Sequence, residues 1–404
     1  MKKLSIQNLD LKGKTVFVRV DFNVPVTGGE VGDDTRIRGA LPTIRLAIEN
    51  GAAVIVASHL GRPKGVPEDR LSLKPVRVRL SELLGTDVLF AEDCVGDQTE
   101  EMRKKLVSGQ ILLLENLRFH EGEKKNSPEF AEALAKGVDI YINDAFGTAH
   151  RAHASTAGIT EFVATCAAGL LVEKELEVLG KIVSAPQRPF VAILGGAKVS
   201  DKIPIIKSLI KQKVNKLLIG GAMAYTFFKA EGYTVGKSLV EDEMMPTALE
   251  IKKMAEEAGV ELFLPSDHQV VDSYDPLNSR RVMPIEFTNA GLVGLDIGPE
   301  SAARFEAALE GAKTIIWNGP MGMFEEKPFD EGTNAIAEAV AKATENGAFS
   351  VVGGGDSVSA INQAGLSESI SHISTGGGAA LEFLSGNDLP GISALDDVKA
   401  QNTH

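Results

Sequence analysis

Cysteine is nearly missing from this chain of 404 residues, which carries only Cys94 and Cys166. Two thiols cannot build a disulfide scaffold or a four-thiolate zinc site, and such sparing use points to a reducing compartment. A basic surplus is missing as well. The formal net charge is −13, which excludes a nucleic-acid binder that works through a generally basic surface. Long hydrophobic runs are also missing: the longest mainly apolar stretch, 162–172, holds 11 residues, short of the roughly 20 needed to span a bilayer. Lys2-Lys3 resembles the opening of a signal peptide, but Ser5-Ile6-Gln7-Asn8-Leu9-Asp10 puts no apolar core behind it. The expectation is a soluble, cytoplasmic protein with no membrane or nucleic-acid partner.

What is present is a folded composition, 44% hydrophobic and 24% charged, long enough for two or three domains at roughly 100–200 residues each. Charge is unevenly spread. Residues 1–170 are close to neutral at −1 and hold 11 of the 15 arginines, whereas residues 171–404 carry −12. Arginine's planar fork suits carboxylates and phosphates, so the first part is the place to look for an anionic ligand. Short apolar runs recur at 16–22, 53–57, 111–114, 140–142, 190–194, 216–219, 261–264, 314–317 and 350–352. Helical patterns lie between them, for example at 43–50, 128–135, 245–258 and 332–344. Near-continuous apolar strands alternating with helices predict parallel sheets covered on both faces, an α/β fold. A long helical pattern at 169–179, stopped before Pro186, sits near mid-chain. The predicted organisation is two doubly wound, Rossmann-like lobes: 1–170, a connecting helix at 171–185, 186–385, and a terminal segment at 386–404.

Ligands of open α/β sheets bind beyond the carboxyl ends of the strands. In the first lobe those ends read Asp21-Phe22-Asn23, Ser58-His59-Leu60-Gly61-Arg62, Glu115-Asn116-Leu117-Arg118 and Asn143 through His153. Three strands therefore end near an arginine, Arg62, Arg118 or Arg151, and Arg36 follows the Asp33-Asp34-Thr35 turn. Together they suggest a cationic basin for a small polyanion, with His59, His150 and His153 as orienting hydrogen-bond partners. In the second lobe the ends are glycines: Gly195-Gly196, Gly220-Gly221, Asn318-Gly319-Pro320, Gly353-Gly354-Gly355-Asp356-Ser357 and Gly376-Gly377-Gly378. Glycine admits flat rings and phosphates close to the backbone, and helix starts offer N–H groups to anions. Lys202 is placed to reach a phosphate, and Asp356 to hold a phosphate-bound Mg²⁺. Gly232-Tyr233-Thr234-Val235-Gly236-Lys237-Ser238 falls one residue short of a Walker A loop and follows no strand. No Gly-x-Gly-x-x-Gly opens the first strand–helix unit, which disfavours a nicotinamide dehydrogenase.

These segments resemble the motifs of the phosphoglycerate kinases. The resemblance rests on Val20-Asp21-Phe22-Asn23-Val24-Pro25, Ser58-His59-Leu60-Gly61-Arg62-Pro63, Glu115-Asn116-Leu117-Arg118-Phe119 and Asp144-Ala145-Phe146-Gly147-Thr148-Ala149-His150-Arg151. It continues in Gly195-Gly196-Ala197-Lys198-Val199-Ser200-Asp201-Lys202, Trp317-Asn318-Gly319-Pro320-Met321-Gly322 and Gly353-Gly354-Gly355-Asp356, in order over nearly the whole chain. The resemblance implies reversible phosphoryl transfer between 1,3-bisphosphoglycerate with ADP and 3-phosphoglycerate with ATP, in glycolysis. The implied partners are these small molecules with Mg²⁺, and the implied form is a hinge-bending monomer whose end returns to the first lobe. The implied phosphoglycerate site is Asp21, Phe22, Asn23, Arg36, His59, Leu60, Gly61, Arg62, Arg118 and Arg151. The implied nucleotide site is Gly195, Lys198, Lys202, Gly294, Asn318, Pro320, Glu325, Gly353, Gly354, Gly355, Asp356 and Ser357, with Glu325 toward the ribose and Asp356 toward Mg²⁺. Arg36, Lys202, Gly376 and Gly377 are the implied catalytic groups.

The residues themselves offer no strong general base, no Ser–His–Asp set and no activated cysteine. A carboxylate acceptor, already ionised at neutral pH, needs none; it needs positioning and charge neutralisation. Two other readings stand beside this one. A kinase for a different small acid does not require three strand-end arginines, and a non-catalytic two-lobed binding protein requires only one ligand basin.

Overall fold

The computed structural model describes residues 2–272 and 279–398. Two compact units divide the chain, Met1–Glu177 with Asp388–His404, and Val178–Asn387. In the first unit the strands are β1 (Thr15–Val20), β2 (Val26–Thr27), β3 (Glu30–Val31), β4 (Ala53–Ala57), β5 (Val88–Ala91), β6 (Ile111–Leu114), β7 (Ile140–Asp144) and β8 (Cys166–Ala168). Six of them form one parallel sheet in the order β5-β6-β4-β1-β7-β8, and β2 pairs with β3 as a separate antiparallel hairpin. β4 and β6, Ala-Val-Ile-Val-Ala and Ile-Leu-Leu-Leu, are buried at every residue. Helices cover both faces, so these strands need no polar side and read as continuous apolar runs.

The chain enters this sheet at its centre and winds outward, first past β4 and later past β7, so its direction reverses at β1. The helix Thr35–Glu49 runs straight through Pro42, although the sequence suggests a helix only from 43 onward. Proline removes one intrahelical donor, but the buried stripe Ile37, Ala40, Ile44 and Ala47 holds the helix on both sides of it. Residues 388–398 pack into the same unit. Leu4 N–H donates to Asp396 O at 2.8 Å, Asp396 N–H to Cys166 O at 2.9 Å, and Gly391 N–H to Ala149 O at 2.8 Å. Residues 399–404, the last of the segment expected to return, lie outside the described residues.

The second unit holds β9 (Phe190–Leu194), β10 (Lys216–Ile219), β11 (Glu261–Phe263), β12 (Asp267–Asp272), β13 (Arg281–Pro284), β14 (Leu292–Ile297), β15 (Thr314–Asn318), β16 (Phe349–Gly353) and β17 (His372–Ile373). Its main sheet is parallel in the order β11-β10-β9-β15-β16-β17, reversing at β9. This is the strand order of the doubly wound nucleotide-binding folds. The core gathers on Val191, Ile193, Ile315, Ile336 and the fully buried Trp317, whose indole N–H donates to Gly319 O at 2.8 Å.

One element departs from the parallel expectation. β12, β13 and β14 form a three-stranded antiparallel sheet, with a register shift between Gln269 and Val270. β12 begins Asp-His-Gln, yet all three residues are buried. Asp267 pays its way by capping the helix Pro299–Leu309, accepting from Glu300 N–H at 3.1 Å and Ser301 N–H at 2.7 Å. The helix Leu170–Ser184 spans the boundary between the units. No helix among the described residues is long and apolar enough to cross a membrane.

Candidate functional sites

At the reversal point of the first sheet, the carboxyl ends of β1, β4, β6 and β7 present a linked polar cluster. Asp21, just after β1, accepts from Arg36 Nη1 at 3.0 Å. Arg36 thus pairs with Asp21 and not with Asp33 or Asp34; Asp34 is held by Arg38 and Arg79. Asn23 Oδ1 accepts from Gly61 N–H at 2.8 Å, tying the β1 end to the β4 end. Asn116, after β6, accepts from Leu60 N–H at 3.2 Å and Arg118 N–H at 3.1 Å, and Arg118 Nη1 donates to Gly61 O at 2.8 Å. Phe22 and Leu60 are buried, and Phe22 N–H donates to Ser58 Oγ at 2.8 Å. They enter the cluster through their backbone, their side chains belonging to the core.

Charge in this cluster is strongly one-sided. Arg118 is buried, its Nε meets no partner, and burial followed by the charges of Arg19 and Arg151 pushes it down to about 10. It remains protonated at neutral pH. Arg62 and Arg151 are exposed, Arg62 with no described hydrogen-bond or ion-pair partner and Arg151 donating to His150 Nε2 at 3.1 Å. Burial, then Arg19, Arg118 and Arg36, hold His59 well below the usual imidazole range. An arginine only donates, so the 3.3 Å contact from Arg19 Nη2 assigns His59 Nδ1 as acceptor and leaves its proton on Nε2.

Arg19 is the residue that the sequence reading overlooks. It lies inside β1, fully buried, and donates to Ser155 Oγ at 2.7 Å; Ser155 in turn donates to the buried Glu123 at 2.6 Å. His153, set beside Glu123, is pushed down to about 4, by burial first and then by Arg118 and Arg19. The available signal is a charged residue inside an otherwise apolar strand run, Val-Phe-Val-Arg-Val.

In the second unit a cavity of about 340 Å³ opens beside the ends of β9, β10 and β15 and the inner edge of β14, in the usual size range of small-molecule sites. Gly294, Pro320, Glu325 and Asp356 line it, whereas Lys202 and Asn318 hydrogen-bond to each other and are not among its lining residues. Burial pushes Lys202 down to about 8, with Asp201 and Asp356 opposing. Some of the glycines have a packing role. A Cβ on Gly195 would collide with Pro320 O, and Gly319, at φ +101°, is pressed against Gly195 O. Gly353 and Gly354 lie against Asn318, whereas Gly355 and Gly377 face open space. Ser357 is buried and accepts from Gly319 N–H at 2.6 Å, and Gly376 N–H is taken by Ser374 Oγ at 3.1 Å. Lys198 is exposed and faces Glu241.

The cavity wall also holds a chain that the sequence reading misses. Thr288 Oγ1 donates to Ile285 O at 2.6 Å, so it accepts from His268 Nε2 at 3.0 Å; His268 Nδ1 then accepts from Tyr225 Oη at 2.8 Å. Burial pushes His268 down to about 4, consistent with this neutral ring. Nearby, burial pushes Asp296 up to about 8 despite N–H donors from Gly332 and Ile297.

An anion basin at one reversal point and a nucleotide-sized cavity at the other are what a kinase of the α/β class requires: a place for a phosphorylated acid and a place for its phosphoryl donor. The family model for phosphoglycerate kinase matches residues 6–387. A phosphoglycerate kinase of Chloroherpeton thalassium is 52% identical over 98% of this chain and 100% of its own, and one of Anaeromyxobacter dehalogenans is 54% identical over 97% and 99%. Among solved structures, phosphoglycerate kinase from Coxiella burnetii aligns at TM-score 0.86 and 42% identity, over 97% of this chain and 98% of that one. The chain belongs to the phosphoglycerate kinase family, enzymes that transfer a phosphoryl group between ATP/ADP and phosphoglycerate in glycolysis.

Proposed function

We propose that the first unit's basin binds 3-phosphoglycerate and 1,3-bisphosphoglycerate through Asp21, Asn23, Arg36, His59, Arg62, Arg118 and Arg151, with backbone groups of Phe22, Leu60 and Gly61. The observation that carries this assignment is Arg118: a buried guanidinium among other cations, with an unpartnered Nε. Such a group is costly without an anion to meet it. Neutral His59 contributes an N–H donor without adding repulsion between cations. The second unit's cavity takes ATP or ADP, with Gly195, Lys198, Lys202, Gly294, Asn318, Pro320, Glu325 and 353–357 around it.

Asp356 fits a nucleotide-bound Mg²⁺. Its carboxylate is exposed in the first turn of the helix Gly355–Gln363, lines the cavity and has no described hydrogen-bond partner. An oxygen ligand is what Mg²⁺ prefers, and the ion, when bound, neutralises phosphate charge. The acceptor carboxylate of 3-phosphoglycerate is ionised at neutral pH, so no general base is called for. Arg36 and Lys202 offset charge on the moving phosphoryl group, with the backbone at Gly376 and Gly377. The chain is read as a cytoplasmic monomer with small-molecule partners only; its acidic net charge argues against a nucleic-acid partner. A coupled assay with MgATP and 3-phosphoglycerate tests the whole scheme. Turnover is expected, and binding of both substrates without turnover would overturn it.

A further inference from the structure

The segment after β5 and the segment after β6 meet at Asp93, Cys94 and His120. One ligand atom from each side chain, a carboxylate oxygen, the thiol sulfur and an imidazole nitrogen, lies within 4.8 Å of the other two. The geometry points to a three-residue site for a divalent transition metal, best suited to zinc, whose fourth position is left to solvent. Oxygen, sulfur and nitrogen donors in this combination suit a four-coordinate Zn²⁺, whereas Mg²⁺ or Ca²⁺ disfavours the sulfur.

The surroundings are built for such a site. Asp93 is oriented by Cys94 N–H at 2.6 Å, and its own carbonyl accepts from Thr99 Oγ1 at 2.8 Å. The His120 ring stacks on Phe130, with centroids 5.1 Å apart, and turns Nε2 to Asp93 Oδ1 at 2.7 Å. Cys94 is fully buried, but the side chains of His120 and Asp93 are 33% and 53% exposed, so an ion has a path from their side.

A second observation concerns Arg103. It is buried and donates only to backbone carbonyls, those of Ala133, Leu134 and Cys94, while its Nε has no partner. A buried cation thus stands beside the residue that supplies the thiol. Binding the metal forms an S–metal bond, releases the thiol proton to solvent and leaves a thiolate that Arg103 faces. Metal, thiolate and carboxylate then sum to zero charge, which removes much of the cost of burying the sulfur as an anion. The metal also displaces the His120–Asp93 hydrogen bond and clips together two segments, the second of which carries Arg118 two residues before His120.

Cobalt(II) is the probe, because only a thiolate ligand gives it a sulfur-to-cobalt charge-transfer band. The full-length protein, titrated with Co²⁺ without nucleotide, is expected to develop that band at one equivalent, to release protons, and to lose the band on adding Zn²⁺. Cys166→Ala should retain the band and Cys94→Ala should abolish it. His120→Ala should weaken binding by more than the roughly 10–100-fold typical of an outer-shell partner. Circular dichroism checks folding, and His120→Gln serves as the milder variant if His120→Ala is unstable. No band in the wild type, a band surviving in Cys94→Ala, or equal affinity in both His120 variants and the wild type would overturn the proposal.

Discussion

The sites proposed for the two units meet an anion by different means. In the first, fixed side-chain charge does the work: Arg19, Arg36 and Arg118 converge on a neutral histidine, and a buried Glu123 anchors the set. In the second, backbone dominates, with glycine-bearing strand ends packed edge to edge, Lys202 bonded to Asn318 and an uncharged Tyr225–His268–Thr288 wall. A small, highly charged acid has little surface to bury, so its recognition must be electrostatic. A nucleotide offers a ring and a sugar as well, and a cavity with apolar and backbone walls can use them. The fold class is shared; the chemistry at the strand ends is not.

That contrast is broken most severely at Arg36. If it acts on the moving phosphoryl group, Arg36→Ala lowers kcat by about 10³–10⁵ and raises KM for either substrate far less. Steady-state kinetics decides this: an intact kcat with a raised KM for phosphoglycerate would make it a binding residue only. Next in size is Glu123→Ala, which strands the buried Arg19 guanidinium. Breaking one side of a buried ion pair costs roughly 3–5 kcal/mol, to be read as a lower denaturant midpoint.

Each unit also carries one carboxyl raised by burial, Asp144 to about 7 and Asp296 to about 8. A raised folded-state value favours the protonated form, so the stability each contributes is full below about pH 4 and is lost as pH rises through the value in the folded protein. Stability should therefore decline between pH 4 and 8, by an amount on the order of a few kcal/mol per carboxyl. Asp144→Asn and Asp296→Asn should each flatten part of that slope in denaturation curves taken across the pH range. The smallest effect is expected from Tyr225→Phe, which removes one buried hydrogen bond to His268 and costs about 1 kcal/mol. Because the wall supplies shape and no charge, nucleotide affinity measured by fluorescence should barely change.

Much of this contrast is legible along the chain, because parallel strands buried on both faces read as apolar runs and their tips carry the polar residues. Arg62, Arg118 and the Gly353-Gly354-Gly355 run stand out for that reason. What is not legible depends on partners distant in sequence. Arg19 is satisfied by Ser155, and only the fold brings the two together. β12 hides as a polar segment because Asp267 and His268 are satisfied by a helix start and by Tyr225 and Thr288. Glycines are legible only in part: at Gly195 and Gly319 the close approach of two backbones also requires glycine, which spacing alone does not reveal.

The central claim is that phosphoglycerate is held by the arginines of the first unit and nucleotide by the second. Titration calorimetry of Arg118→Ala with each ligand separately addresses it most directly. Loss of one charge-assisted pair, roughly 1.5–3 kcal/mol, should weaken 3-phosphoglycerate binding about tenfold to a hundredfold and leave ADP binding unchanged. A comparable loss of ADP affinity, or undiminished 3-phosphoglycerate affinity, would contradict the assignment.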